Sequence, residues 1–250
     1  KTDKRFPKKG TCMKIYSRCV NARQKLSDAL DTQFPWCKDD LDGLAELFSA
    51  YTERKETSAT LDYDDLLLYW NAMLADPATG KALRSRFDCV LVDEYQDTNA
   101  LQAEIVYGLR PDGTGITVVG DDAQSIYSFR AATIRNILDF PKQYPETTII
   151  RLEQNYRSTQ PILETTNRVI AQMPERFAKT LWTDRATGER PRLIACDDDE
   201  DQVEYLIRRI LTHREEGIDL RRQAVLFRTS HHSMLLEAEL VRRKIPFHKY

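Results

Sequence analysis

The sequence lacks the cysteine and histidine spacing of a metal site. Its five cysteines are scattered, none forms a C-x-x-C pair, and the four histidines show no ligand spacing. We therefore expect no zinc site. An odd number of widely spaced cysteines is also typical of a reduced, cytoplasmic protein rather than of a disulfide framework. The cysteines are Cys12, Cys19, Cys37, Cys89 and Cys196.

Long apolar runs are missing too. No segment approaches the roughly 18 consecutive apolar residues that a membrane-spanning helix needs, so we expect no membrane partner. The first residues carry neither an initiator methionine nor the charged-then-apolar pattern of a signal peptide. This start predicts a chain cut from a longer protein or processed at its N-terminus.

A surplus of positive charge is also lacking, since the formal net charge is −2. The distribution is less even, because residues 1–25 hold nine Lys and Arg against one Asp, and the remainder holds 28 basic against 38 acidic residues. A basic segment of this kind can follow a phosphate backbone. A solvated helix face explains it equally well, and both interpretations stay open at this point.

The first 60 residues predict helices alone. Apolar residues recur there at helical spacing, and no strand pattern is present. Pro35 divides the stretch into two halves. We expect a helical insert subdomain at 1–60.

From 61 to 250, short apolar runs alternate with helical patterns. Strands are predicted at 89–92, 116–119, 148–150, 193–195 and 224–227, and helices at 61–74, 101–109, 134–140, 161–171, 203–211 and 234–242. Wholly apolar strands alternating with helices indicate a parallel sheet that is covered on both faces. We therefore predict an α/β fold, with one domain over 61–152 and another over 153–250.

Two acids follow the first of these strands. Ligands of parallel α/β sheets collect where strands end, and a carboxylate there suits Mg²⁺. Asp93 is the candidate metal ligand, and Glu94 can take a proton from an attacking water. The alternative is a helix cap, with Asp97 or Thr98 as the capping residue. The whole block, DEYQDTN at residues 93–99, favours the catalytic interpretation.

A second polar block, GDDAQSIYSFR at residues 120–130, follows the next strand. Gln124 can sense a phosphate oxygen or a water. Tyr127 and Phe129, alternating along a segment that we predict to be extended, form with Arg130 a stacking platform for unpaired bases. Burial of both rings in the core is the alternative, although the polar neighbours of the rings disfavour it.

A third block, NYRS at residues 155–158, precedes a predicted helix start at Ser158 or Thr159 and Pro161. Tyr156 can stack on a purine, and Arg157 can clamp a phosphate.

In these three blocks, in their order and in their spacing, the chain resembles the UvrD/Rep-type superfamily 1 DNA helicases. The resemblance covers 61–250 closely and the helical stretch before it more loosely. It implies a partial RecA-like core with a helical insert, followed by part of a second RecA-like domain. ATP would bind between the two, with Mg²⁺, and closure of the cleft would move the protein 3′→5′ along DNA.

The resemblance also assigns roles to residues of this chain. It implies that Asp93 holds Mg²⁺, that Glu94 is the catalytic base and that Gln124 contacts the γ-phosphate. It implies ATP contacts by Tyr156 and Arg157, and DNA contacts by Tyr127, Phe129, Arg130, Arg228 and Ser230. The family often has Asn at the position of Ser230, Trp at that of Phe129 and Gly at that of Ala132.

Other polar clusters predict structure instead of chemistry. The acids Asp62, Asp64 and Asp65 predict helix capping and packing, and Asp197–Asp201 predicts an acidic helix start, where the helix dipole favours negative charge. His231 and His232 predict the opening of a helix.

A phosphate-binding loop of the form G-x-x-x-x-G-K-[ST] is absent from the sequence. Gly80 and Lys81 are the only Gly-Lys pair, and Ala82 follows them. The family has this loop ahead of the basic helical region. We therefore predict a fragment of an ATP-dependent DNA helicase that is inactive alone and whose parent acts on single-stranded and forked DNA in repair or replication. A recombination-type helicase–nuclease subunit and a truncated, non-hydrolysing DNA-binding module are the alternatives.

Overall fold

The computed structural model describes residues 5–250, so Lys1 and Lys4 of the basic segment lie outside the described residues. Residues up to Thr187 form one compact unit, and Gly188–Tyr250 form a second. No helix in the described part of the chain is both long and apolar enough to cross a membrane.

The first unit opens with helices, as predicted for residues 1–60. The helices are α1 (Lys9–Ala22), α2 (Leu26–Gln33), a 3-10 helix (Pro35–Asp40) and α3 (Leu41–Thr57). Pro35 begins the 3-10 helix, where its fixed φ is tolerated and its missing N–H is not needed. Their shared core is made of Cys12, Ile15, Leu30, Cys37 and Leu44.

A buried ion pair network joins α3 to the helix that follows it, α4 (Tyr63–Ala75). Lys55 Nζ donates to Asp62 Oδ2 at 2.8 Å and to Asp65 Oδ1 at 2.7 Å. Asp62 also caps α4 in a capping box with Asp65, which confirms the capping prediction for these acids. Burial alone would lower the pKa of Lys55, but its hydrogen bonds to Asp62, Asp65 and Tyr16 raise it overall.

The next helices carry the chain to and from the sheet. They are α5 (Pro77–Arg84), which was not predicted, and α6 (Ala100–Leu109). Leu74 of α4 packs with Leu101, Ile105 and Leu109 of α6 in a buried cluster. This cluster sets α6 beside the strand that leads into it.

The sheet consists of β1 (Val90–Val92) and β2 (Ile116–Val118), which pair in parallel with Val92 opposite Val118. Two hydrogen bonds continue the pairing beyond the strands, from Val119 N–H to the carbonyl of Val92 at 2.7 Å and from Tyr95 N–H to the carbonyl of Val119 at 2.9 Å. Helix α7 (Arg135–Gln143) packs against this region through Ile137 and Phe140, together with the buried ring of Tyr95. The α/β prediction with a parallel sheet is confirmed.

Three predicted strands are wrong in the described chain. Residues 148–150, 193–195 and 224–227 form no ladder. An apolar side chain of each run is largely exposed: Ile150 by 79%, Leu193 by 99% and Leu226 by 93%. An apolar run marks a surface that favours burial, whereas a strand also requires a hydrogen-bonded neighbour, which these runs do not have here. Helix α8 (Gln160–Ile170) closes the regular part of the first unit.

The second unit is built on α9 (Asp199–Glu215) and α10 (Met234–Arg242). Its core is Val203, Ile207, Leu236 and Leu240. Asp198 caps α9, and three acids fill its first turn, which confirms the prediction for Asp197–Asp201. The 3-10 helix Ser230–Ser233, which contains His231 and His232, leads directly into α10, as predicted.

Candidate active site

Asp93 and Glu94 leave the carboxyl end of β1, and both are exposed. Asp93 Oδ1 accepts a hydrogen bond from the backbone N–H of Glu94 at 2.9 Å. Glu94 has φ 50° and ψ 41°, a left-handed conformation that costs a residue other than glycine about 1–3 kcal/mol. Such conformations persist where the surrounding structure holds them, and at Glu94 a buried side chain does so.

That side chain is Gln96, which is only 1% exposed. Its Nε2 donates to Glu94 Oε2 at 2.7 Å, and its Oε1 accepts from the backbone N–H of Asp121 at 2.9 Å. Gln96 thereby joins the acid that follows β1 to the loop that follows β2. Sequence reasoning gave this residue no role, although an amide in a buried turn must find partners on both of its polar atoms.

The contact between Gln96 and the backbone of Asp121 requires a glycine at position 120. A Cβ at this position would lie 2.6 Å from Gln96 Oε1 and 2.7 Å from Ile137 Cδ1. The close approach of the two loops therefore depends on the missing side chain.

Gln124 ends a short 3-10 turn, Asp122–Gln124, and is exposed. Its Nε2 donates to Asp121 Oδ2 at 2.7 Å. Glu94 and Gln124, which sequence analysis placed in one site, are thus connected through Gln96 and Asp121. The three contacts in this connection are hydrogen bonds of 2.7–2.9 Å, each involving at least one side chain.

The connection also includes a lysine that sequence analysis missed. Lys179 Nζ donates to Asp121 Oδ1 and, at 2.9 Å, to Asp122 Oδ1. The lysine lies beyond α8, more than 50 residues from both acids, so no local pattern links it to them. Burial raises the pKa of Asp121, yet hydrogen bonds from Lys179 and Gln124 lower it overall.

The alternative interpretation of the acids as a cap named the wrong residue. Helix α6 is capped by Asn99 in a capping box with Gln102, and not by Asp97 or Thr98. Asn99 is also tied to α1, because its Nδ2 donates to Asn21 Oδ1 at 2.8 Å. Asp93 and Glu94 therefore do not serve as the cap of α6.

The acids fit a magnesium ion that is shared with a nucleotide. Mg²⁺ in phosphate sites is held by one or two carboxylates, several waters and substrate phosphates. No group of three His, Cys, Asp or Glu side chains suitable for a metal occurs among residues 5–250. Asp93, an exposed carboxylate at the end of β1, has the chemistry of the donors that such a shared site uses.

The predicted stacking residues form one exposed cluster. The ring centroids of Tyr127 and Phe129 lie 5.7 Å apart with an interplanar angle of 38°. The guanidinium of Arg130 lies 5.4 Å from the first ring centroid and 5.6 Å from the second. Phe129 is 72% exposed and Tyr127 37%, so burial of the rings in the core does not hold.

The backbone of this cluster differs from the prediction. Residues Ser128–Arg130 form a 3-10 turn instead of an extended segment. Along a strand, Arg130 would point to the face opposite Tyr127 and Phe129, whereas the turn brings its guanidinium near both rings.

The basic helix α1 lies beside the aromatic cluster. Arg18 Nη1 donates to the carbonyl of Ser128 at 2.8 Å. A cleft of about 1050 Å³ is lined by Lys14 and Arg18 of α1 together with Tyr127, Phe129 and Arg130. This placement favours the phosphate-binding interpretation of the basic segment over that of a solvated helix face.

Tyr156 and Arg157 are exposed on the turn ahead of α8. Asn155 Oδ1 shapes this turn by accepting from the N–H groups of Arg157 and Ser158. Within residues 5–187, no hydrogen bond or ion pair joins Tyr156 or Arg157 to Asp93, Glu94 or Gln124.

Arg228 and Ser230 belong to the second unit and are both exposed. Arg228 follows the unpaired apolar run, and Ser230 begins the short helix before α10.

Two models of known protein families match this chain and together cover nearly all of it. Residues 1–145 match the model of the UvrD/REP helicase N-terminal domain, and residues 150–250 match that of the UvrD-like helicase C-terminal domain. The chain belongs to the UvrD/Rep helicase family. Its mixed helix and strand architecture with a small parallel sheet is that of a partial RecA-like helicase core.

Curated relatives of this UvrD/Rep family chain carry the name ATP-dependent DNA helicase PcrA. The protein of Staphylococcus aureus (strain COL) is 38% identical over 205 residues, which is 82% of this chain and 28% of the relative. That of Staphylococcus epidermidis is 37% identical over the same length. The chain thus spans a little over a quarter of the length of these relatives.

Proposed function

We propose that this chain is part of an ATP-dependent DNA helicase that couples ATP hydrolysis to movement along single-stranded DNA. One observation carries the proposal. The chain of hydrogen bonds from Glu94 through Gln96 and Asp121 to Gln124 ends three residues before Tyr127, the first ring of the exposed aromatic cluster. A candidate hydrolytic site and a candidate DNA surface are therefore parts of one connected loop.

In the ATP site, Asp93 would hold Mg²⁺ together with the nucleotide, and the ion would supply positive charge to the phosphate oxygens. Glu94 accepts a proton from the attacking water. Gln96 fixes the Glu94 carboxylate by donating to one of its oxygens, which leaves the other for the water. Gln124 contacts the γ-phosphate, and Tyr156 and Arg157 bind the adenine and the phosphates.

On the DNA side, Tyr127 and Phe129 stack on bases, and Arg130 adds a cation to the same surface. Stacking of this kind is worth about 1–3 kcal/mol per base and tolerates any sequence. Lys14 and Arg18 of α1 line the same cleft and follow the phosphates. Arg228 and Ser230 add contacts to the DNA backbone.

We also propose finer properties of the parent protein. It moves 3′→5′, unwinds forked DNA in repair or replication, and acts in the cytoplasm. Its parts in this chain are a helical insert at 1–60, part of the first RecA-like core at 61–152 and part of the second at 153–250. The 250 residues alone do not hydrolyse ATP, because they contain no G-x-x-x-x-G-K-[ST] loop to bind the phosphates.

Mutation of the two acids tests the hydrolytic proposal. In the full-length protein that carries this segment, Asp93→Asn and Glu94→Gln should each reduce DNA-stimulated ATP hydrolysis by at least about 100-fold, as removal of an essential catalytic group does. Phosphate release measured with and without single-stranded DNA is the readout.

Glu46→Gln, at an exposed acid of α3, is the matched control and should hydrolyse ATP like the wild type. Near-normal turnover by Asp93→Asn would contradict the proposal. Hydrolysis by the purified 250-residue chain would contradict the proposal that it is inactive alone.

A further inference from the structure

Lys179 contacts the loop that carries Gln124. Its amine contacts two adjacent carboxylates, those of Asp121 and Asp122, and its side chain is only 17% exposed. The Asp122 side chain is 2% exposed and also accepts from the backbone N–H of Phe177 at 3.0 Å. Lys179 and Phe177 both belong to the stretch that follows α8. This stretch therefore donates hydrogen bonds to the loop from two of its residues.

The positive charge of Lys179 offsets the negative charges of Asp121 and Asp122. Two neighbouring carboxylates in a partly buried loop repel each other and lose solvation, and a cation within hydrogen-bonding distance of both offsets this. Burial lowers the pKa of Lys179, but its hydrogen bonds to Asp121 and Asp122 raise it overall, so the amine stays charged. The loop is therefore held by the ion pairs of Lys179 with Asp121 and Asp122, which persist until the amine loses its proton in strong base.

Lys179 is connected to Gln124 through the carboxylate of Asp121. Asp121 Oδ1 accepts from Lys179 and from the backbone N–H of Ala123, while Asp121 Oδ2 accepts from Gln124 Nε2 at 2.7 Å. Fixing Oδ1 fixes the plane of the carboxylate and hence the place of Oδ2. One N–H of the Gln124 amide is thereby oriented, and its second N–H and its oxygen stay free for a ligand.

We propose that Lys179 is a positioning residue for the hydrolytic site, acting through Asp121 to orient the side-chain amide of Gln124. The proposal rests on the proposed function, since Gln124 is taken there to contact the γ-phosphate. It adds a residue from beyond α8 to a site whose other members follow β1 and β2. Movement of the stretch that carries Lys179 would then change how Gln124 meets the nucleotide.

Orientation of the amide can be measured in the 250-residue chain without any activity. In ¹⁵N-labelled protein, the side-chain amide signals of Gln124 and Gln96 are assigned with Gln124→Ala and Gln96→Ala. Lys179→Met should shift the Gln124 signal, and Lys179→Arg, which keeps the charge, should shift it less.

Lys142→Met is the matched control, because Lys142 is an exposed lysine paired with Asp139 on α7. It should leave the Gln124 signal unchanged. An unchanged Gln124 signal in Lys179→Met would overturn the proposal, whether or not the full-length protein hydrolyses ATP.

Kinetics of the full-length protein distinguish positioning from a merely structural role. Lys179→Met should lower kcat for ATP on the order of 10- to 100-fold, the range that misplacement of a catalytic group by about 1 Å produces, with little change in KM. Lys179→Arg should recover most of the loss. Because Lys179 acts through Gln124, the double variant Lys179→Met/Gln124→Ala should be no slower than Gln124→Ala alone.

A double variant slower than Gln124→Ala by the full factor of Lys179→Met would overturn the proposal, because the two residues would then act independently. Wild-type kcat in Lys179→Met would overturn it as well. Absence of ATP hydrolysis in the wild-type full-length protein would instead contradict the proposed function, and the amide signals would still decide the role of Lys179.

Discussion

At the scale of single residues, the site depends on buried amides and charges more than on the acids that the sequence displays. Asp93 and Glu94 are exposed, whereas Gln96 is almost fully buried and contacts both Glu94 and the loop after β2. The buried amide of Gln96 donates to Glu94 and so sets where the carboxylate of this candidate catalytic acid lies. Lys55 has a comparable structural role between α3 and α4.

Lys55→Met should destabilise the first unit by about 3–5 kcal/mol, because it leaves the buried Asp65 and the partly buried Asp62 without their cation. Urea unfolding followed by circular dichroism measures the change. Exposed Lys142→Met, whose ion pair is screened by water, should change the unfolding free energy by less than about 1 kcal/mol.

The destabilisation caused by Lys55→Met should become smaller in acid, and smaller again in strong base. Burial raises the pKa of Asp62, but hydrogen bonds from Lys55, the Asp65 backbone and Tyr51 lower it overall. The stability that this lowered pKa contributes is therefore present above the ordinary value of 3.8 and is lost as the pH falls through the lower folded value. The raised pKa of Lys55 gives a contribution that is full below 10.5 and is lost only in stronger base. An equal destabilisation at pH 3 and pH 7 would contradict this account.

At the scale of elements, periodicity and composition located nearly every long helix of the described chain. Helices α6, α8 and α10 lie within one or two residues of their predicted positions. The two strands that precede acidic blocks were also found, because wholly apolar runs before acids are typical of parallel strands. Three further runs of the same kind do not pair, since pairing depends on a neighbouring strand that a local pattern cannot reveal.

Candidate residues were predictable to the extent that they stand in one block of sequence. Asp93, Glu94, Gln124 and the aromatic cluster were named from such blocks, and their roles stay predictions. Lys179 and Arg18 were not named, because their partners lie 58 and 110 residues away along the chain. Gln96 was visible in its block, but only burial gives it two partners.

Asn99 gives a prediction at this scale, because it both caps α6 and ties α6 to α1. Asn99→Ala should lower the unfolding free energy by about 1–3 kcal/mol, from the lost cap and from the side-chain oxygen of Asn21 left without its donor. Ser27→Ala, at an exposed hydroxyl in the first turn of α2, is the control. Equal unfolding midpoints in urea for the two variants would contradict the role of Asn99 as a link between these helices.

At the scale of the whole molecule, the chain combines a candidate hydrolytic site and a candidate DNA surface within one compact unit. The cleft beside the aromatic cluster draws residues from α1 and from the loop after β2, which are about 110 residues apart in sequence. The family to which the chain belongs is one of helicases, and the relatives that it matches are named for ATP and DNA together. We therefore expect DNA bound at the aromatic cluster to control ATP hydrolysis at the candidate acids.

The most direct test is the dependence of ATP hydrolysis on single-stranded DNA in the full-length protein. Phe129→Ala should raise the DNA concentration for half-maximal stimulation on the order of 10- to 100-fold, because base stacking on an aromatic ring is worth about 1–3 kcal/mol. Tyr69→Ala, which removes a ring of α4 that is 52% exposed, should leave that concentration at its wild-type value. Half-maximal stimulation of Phe129→Ala at the wild-type DNA concentration would contradict the account.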